Sequence, residues 1–112
     1  MIFVTGPLYS GKKDYIKDRF GWADQQLAAH AVWDVQELAA AQEDLENLAD
    51  RLAEYDVVIA TEVGGGVVPT ERSVRDARER AGRLSCILAE RADQVVRVFC
   101  GLPMTLKGDK PV

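Results

Sequence analysis

Met1-Ile2-Phe3-Val4-Thr5-Gly6-Pro7-Leu8-Tyr9-Ser10-Gly11-Lys12-Lys13 opens the chain, and its reading decides the fold. Met1 to Val4 is a continuous apolar run that ends at Thr5-Gly6. That is the pattern of a buried parallel strand closed by a turn. After the loop, Tyr15, Ile16 and Phe20 keep helical spacing, and Gly21 supplies a C-terminal stop. Gly6 to Lys12 has the spacing GxxxxGK. Its two glycines let the backbone curl so that N–H groups point inward at a phosphate, and the following helix adds its positive end. Lys12 would then reach the terminal phosphates. A strand before and a helix after give the motif its required context, so Gly6, Pro7, Leu8, Tyr9, Ser10, Gly11, Lys12 and Lys13 form a candidate phosphate cradle. The alternative is a glycine turn with a solvated lysine.

One position departs from the motif. It ends in Ser or Thr, whose hydroxyl ligates magnesium. Here Lys13 stands there, and a lysine cannot ligate a cation. It can neutralise phosphate charge instead, partly replacing Mg2+.

Outward from the loop, Ala31-Val32-Trp33-Asp34-Val35 reads as a second short strand, with residues 22 to 29 ambiguous between helix and loop. From Leu38, the residues Ala41, Leu45, Leu48, Leu52 and Tyr55 form one helical stripe. The opposite face is acidic, Arg51 being the one basic residue between positions 34 and 56. Val57-Val58-Ile59-Ala60-Thr61 is the clearest strand, β-branched and apolar. Glu62 and a glycine segment, Gly64-Gly65-Gly66, follow. A helix is expected from Thr70 (a candidate N-cap) or Glu71 to about Ala92, with Val74, Ala77, Ala81, Leu84 and Leu88 on its stripe. Val95-Val96-Arg97-Val98-Phe99 is the last strand expected. Gly101-Leu102-Pro103 closes it, and the tail to Val112 reads as loose.

Alternating strands and helices imply βαβ units: an α/β domain with a small, mostly parallel sheet of about four strands flanked by helices. Ligands of such sheets gather at the C-terminal ends of the strands. Two carboxylates fall there. Glu62 is a candidate catalytic residue, its alternative being a partner for loop N–H groups. Asp34 is a candidate metal-proximal carboxylate, its alternative a helix N-cap. Arg75 and Arg78 begin the arginine-rich helix and are candidates to face an anion. Most arginines there, including those of the pairs Glu71–Arg75, Asp76–Arg80 and Glu79–Arg83, read as solvated i,i+4 charges.

Composition narrows the function classes. The chain has 112 residues and a formal net charge of -4, which fits one domain and makes general nucleic-acid binding a poor candidate. No apolar run approaches the roughly 18 residues of a membrane span, and no basic stretch precedes the first apolar run, so neither span nor signal peptide is expected. Cys86 and Cys100 are too few and too widely spaced for a zinc motif and read as reduced core thiols of a cytoplasmic protein.

At the second glycine segment the sequence resembles a known family. Thr61-Glu62-Val63-Gly64-Gly65-Gly66-Val67-Val68-Pro69 looks like the signature of the bifunctional adenosylcobinamide kinase / adenosylcobinamide-phosphate guanylyltransferases of cobalamin assembly. The resemblance continues through Arg72, Arg75, Arg78, Ala81-Gly82-Arg83, Leu88-Ala89, Ala92-Asp93 and Val95 to Gly101-Leu102-Pro103 and Leu106-Lys107. It also takes in Val4-Thr5-Gly6 and Ser10-Gly11-Lys12 at the front. It implies a P-loop NTPase-like three-layer domain over residues 1–112. It implies ATP or GTP as ligand, a corrinoid substrate, phosphoryl transfer to the adenosylcobinamide hydroxyl, GMP transfer onto the product, and homo-oligomers. The family's arginine/histidine-rich segment, whose histidine becomes guanylylated, has no counterpart here. His30 is the only histidine and lacks basic neighbours. Thr61 replaces the family's Asn, and Ser85-Cys86 replaces an Asn-Gln pair. These departures predict a shortened member in which guanylyl transfer is lost and at most kinase chemistry is kept. The alternatives are a degenerate nucleotide, phosphate or corrinoid binder, or an oligomeric scaffold.

Overall fold

A computed structural model describes residues 1–63 and 71–108. The strands are β1 (Ile2–Gly6), β2 (Ala31–Val32), β3 (Val57–Thr61), β4 (Gln94–Phe99) and β5 (Leu102–Lys107). The helices are α1 (Lys12–Phe20), α2 (Asp24–His30), α3 (Leu45–Leu52) and α4 (Arg72–Arg91), with a 3-10 turn at Val35–Leu38. The strands form one sheet in the order β2-β3-β1-β4-β5. β1 lies between β3 and β4, parallel to both, and β5 runs antiparallel to β4.

Successive residues of the central strands feed opposite faces, as the pleat requires. Phe3, Val58, Ala60 and Val95 pack against α3, α4 and the 3-10 turn. Val4, Val57, Ile59, Val96 and Val98 pack with Ile16 of α1 and Leu27 of α2 on the other face. Helices cover both faces, which is the three-layer α/β fold expected from sequence. Both faces being covered is why these strands read as continuous apolar runs. Among the described residues, no helix is long and apolar enough to cross a membrane.

Several expectations are corrected. Among the described residues the sheet has five strands, because Leu102–Lys107, the first part of the tail expected to be loose, folds back as β5; residues 109–112 of that tail lie outside the described residues. Cys100 and Gly101 both take positive φ (51° and 75°) between the paired residues Phe99 and Leu102, the pattern of a two-residue type I′ hairpin. Within residues 22–29 the helix α2 begins at Asp24, and its Gln26 side chain accepts the N–H of Ala23, the residue before the helix, at 2.7 Å.

The stripe from Leu38 to Tyr55 is not one helix. It breaks after Leu38 and restarts at Leu45, where Asp44 accepts the Asn47 N–H at 3.1 Å. The break is held from α4. Arg80 donates to the carbonyls of Ala39 (3.0 Å), Gln42 and Glu43, which an unbroken helix would use itself. Arg91 likewise pairs with Glu46 and Asp50 of α3. These two arginines tether helices, whereas Glu79–Arg83 is the surface pair expected. Val74 is exposed, so the apolar stripe of α4 reaches the core only from Ala81 onward. Cys86 and Cys100 are free but exposed, on the outer side of α4 and at the hairpin tip, and so are not core thiols. The Thr70 N-cap and the segment Gly64 to Pro69 lie outside the described residues.

Candidate functional site

β1 ends at Gly6 and the chain curls through Pro7 to Gly11 before α1 begins. Gly6 has no room for a side chain. A Cβ there would stand 2.2 Å from the Val98 carbonyl oxygen and 2.8 Å from Ser10 Oγ. Tyr9 and Gly11 take left-handed backbone (φ 59° and 89°), and Ser10 N–H closes the turn onto the Pro7 carbonyl at 3.2 Å. The hairpin braces the loop from outside, Gly101 N–H donating to the Ser10 carbonyl at 2.8 Å. Ser10 and Lys12 are buried in it. Lys12 Nζ donates to the Pro7 carbonyl at 2.7 Å and to Ser10 Oγ at 3.4 Å. Burial pushes the Lys12 ammonium below the ordinary lysine pKa, and Asp34 and Glu62 partly oppose that shift.

A cleft of about 480 Å³ opens over this loop. Leu8, Tyr9, Ser10, Gly11, Lys12 and Lys13 line one side, and Trp33, Asp34, Ile59 and Thr61 the other. Lys13 lies over the Trp33 ring, its Nζ 5.0 Å from the centroid, so the residue in the hydroxyl position rests on the cleft wall. Asp34 has positive φ (56°) and precedes the 3-10 turn without a side-chain cap bond. Its carboxylate therefore does not serve as the N-cap, and it faces the cleft.

Glu62 stands at the same edge. Its N–H donates to the Gly6 carbonyl at 2.8 Å. Its carboxylate takes both arms of Arg97, Nε to Oε2 at 2.7 Å and Nη2 to Oε1 at 2.9 Å. This pairing raises the Arg97 pKa further above its ordinary value. Arg97 sits on β4 opposite Thr5, so the pair reaches across β1 where Gly6 presents no side chain. Sequence reasoning missed Arg97 as a site residue. The signal was there: one cation inside Val95-Val96-Arg97-Val98-Phe99 needs an anionic partner nearby.

The structure thus gathers the loop, Lys12, Lys13 and Asp34 around the cleft, with Glu62 at the same edge of the sheet but, like Arg97, not among the residues that line it. Arg75 and Arg78 are not among the residues lining the cleft and lie in the first half of α4, on the other face of the sheet from α1. His30 is elsewhere. It ends α2 at the opposite edge of the sheet, its Nδ1 2.7 Å from Asp56 Oδ2 and its ring stacked on Trp22. Asp56 and Glu62 bracket β3, so roughly 20 Å separates the two edges at about 3.3 Å per residue.

The donor set lacks the hydroxyl with which a P-loop motif holds its divalent cation, and leaves Asp14 and Asp34 as the carboxylates lining the cleft. Lys13 replaces the hydroxyl, and both Glu62 oxygens are engaged by Arg97. Among the described residues, no group of three or more His, Cys, Asp or Glu comes together as a ligand set.

Residues 18–106 match the family Cobinamide kinase / cobinamide phosphate guanyltransferase. The matched range begins inside α1, so the phosphate loop rests on its own geometry. The chain is similar to the Bifunctional adenosylcobalamin biosynthesis protein CobP of Pseudomonas aeruginosa, 36% identical over 76 residues that make up 68% of this chain and 44% of the relative. It is also similar to the Bifunctional adenosylcobalamin biosynthesis protein CobU of Escherichia coli, 32% identical over 99 residues, 88% of this chain and 49% of the relative. The chain spans about half the length of these curated relatives.

Proposed function

Because the chain belongs to the cobinamide kinase / cobinamide phosphate guanyltransferase family, we propose that it serves cobalamin assembly as a nucleotide-binding domain with at most the kinase half of that chemistry. The observation that carries this reading is the curled loop from Gly6 to Gly11 with Lys12 buried inside it at the C-terminal edge of the sheet. The backbone N–H groups of a curled loop and the α1 N-terminus there suit the phosphates of ATP or GTP. On binding, Lys12 exchanges the Pro7 carbonyl for a phosphate oxygen.

In the kinase step the bond from the terminal phosphorus of the nucleotide to its bridging oxygen breaks. A new P–O bond forms to the hydroxyl of an adenosylcobinamide-type substrate. Glu62, held by Arg97, takes the hydroxyl proton. A carboxylate so paired is a weak base, but a loose phosphoryl-transfer transition state asks for little more than positioned charge. Guanylyl transfer through a covalent histidine is not supported, since His30 and the loop lie at opposite edges of the sheet. Self-association and a cytoplasmic site of action belong to the same reading. Sedimentation of the whole chain tests the first.

Calorimetric titration with ATP and GTP, followed by a coupled kinase assay with adenosylcobinamide, tests the proposal. Wild type should bind and turn over, and Lys12→Ala should do neither. Equal background in both proteins would remove the kinase reading. Lys13 favours a second reading, a phosphate or nucleotide binder without turnover, which predicts binding with no product.

A further inference from the structure

Two cations stand where a P-loop site would be expected to use a metal. Lys13 occupies the hydroxyl position and is held at the cleft by the Trp33 ring, 5.0 Å from its Nζ. Arg97 occupies both oxygens of Glu62, the acid beside the loop, at 2.7 and 2.9 Å. The fork geometry matters, because a bidentate guanidinium engages both carboxylate oxygens at once and neutralises the charge that would draw an ion. The pair also cancels a negative charge that would repel a phosphate. Asp14 and Asp34 face the same cleft but do not assemble with Glu62 into a ligand set.

We propose that this cleft takes its polyphosphate anion without a divalent cation. Lys13 supplies the charge directly, and Arg97 acts as a positioning residue that keeps Glu62 neutralised and out of metal ligation. The inference rests on the reading of the loop as a phosphate site and goes beyond it by fixing the chemical form of the ligand, the metal-free anion. Magnesium in solution then competes with the protein for the anion's charge instead of bridging the two.

The experiment is titration of the whole chain with ATP and with inorganic pyrophosphate, in chelator and in excess Mg2+. The proteins are wild type, Lys13→Thr, Arg97→Leu, Arg97→Lys and the double variant Lys13→Thr/Arg97→Leu. Thermal melts confirm that each is folded. Wild type should bind in chelator at least as tightly as in Mg2+. The double variant should lose tenfold or more in chelator and recover in Mg2+. Arg97→Lys should fall between wild type and Arg97→Leu, since it keeps the charge but not the fork. Quenching or release of Trp33 fluorescence, read in a Trp22→Phe background, should report Lys13 leaving the ring in chelator alone. Wild-type binding that is tenfold tighter in Mg2+ overturns this inference and leaves the phosphate reading standing. No binding of either anion in either buffer overturns both.

Discussion

Gly6→Ala measures how tightly the phosphate loop is built into the sheet. The added methyl would lie 2.2 Å from the Val98 carbonyl oxygen and 2.8 Å from Ser10 Oγ. The hydroxyl can rotate away, but the carbonyl is backbone of β4, paired with β1 from Ile2 to Thr5. Relief therefore requires the ends of β1 and β4 to part by roughly 1 Å, against a normal strand spacing of about 4.8 Å. Overpacking costs about 1–3 kcal/mol, and an unyielding backbone wall puts this site at the upper end. At about 5 °C per kcal/mol for a domain of this size, Tm should fall by roughly 15 °C. Gly21→Ala is the control. Its Cβ would meet nothing within 4 Å, so only the left-handed backbone (φ 68°) is penalised, by about 1 kcal/mol or roughly 5 °C. Thermal melts by circular dichroism at pH 7 compare the two. A Gly6→Ala protein that melts no lower than Gly21→Ala refutes the argument from close approach.

Other outcomes follow from particular contacts. Lys12→Met should abolish nucleotide binding yet raise the melting temperature of the free protein at neutral pH, because burying the ammonium is a cost. The folded-state pKa of Lys12 lies below the unfolded value, so between the two the unfolded chain binds more protons and wild-type stability rises with pH. The advantage of Lys12→Met should therefore shrink as pH climbs toward 10.5, and an advantage that grows instead contradicts the sign. Cys100→Asn places a preferred residue at a positive-φ hairpin position and should stabilise by about 0.5 kcal/mol; urea melts showing a loss would argue against the type I′ assignment. His30→Ala should leave nucleotide affinity unchanged, and intact-mass spectrometry after incubation with GTP should show no GMP adduct on wild type. An adduct would restore guanylyl transfer to this chain.

Much of the fold was legible. The strands at residues 2–6 and 57–61 announce themselves by short apolar runs, and β4 by its valines, Val95, Val96 and Val98, broken only by Arg97, because the buried residues of each feed both faces of a covered sheet. Gly21 stops α1 by the local backbone rule that predicts it. The stripe from Leu38 to Tyr55 misled for a physical reason. Its periodicity is helical throughout, and what interrupts it is a guanidinium from a helix about forty residues later, a partner no local pattern contains. β5 was missed because a Cys-Gly turn is a weak hairpin signal and because Leu102, Met104 and Leu106 are exposed, so they give no buried-strand pattern.

For the site the division is similar. By itself the sequence determined the loop, its place after the first strand, and the presence of Lys13 where a hydroxyl belongs, since all are consecutive residues with local backbone demands. Only the tertiary structure decided what surrounds it. Strand order set Glu62 and Arg97 on either side of β1, and a Gly6 without a side chain let them meet across it. The same strand order put His30 at the far edge of the sheet. Those relations join residues dozens of positions apart, and they exist only once parallel strands fix which ends share an edge.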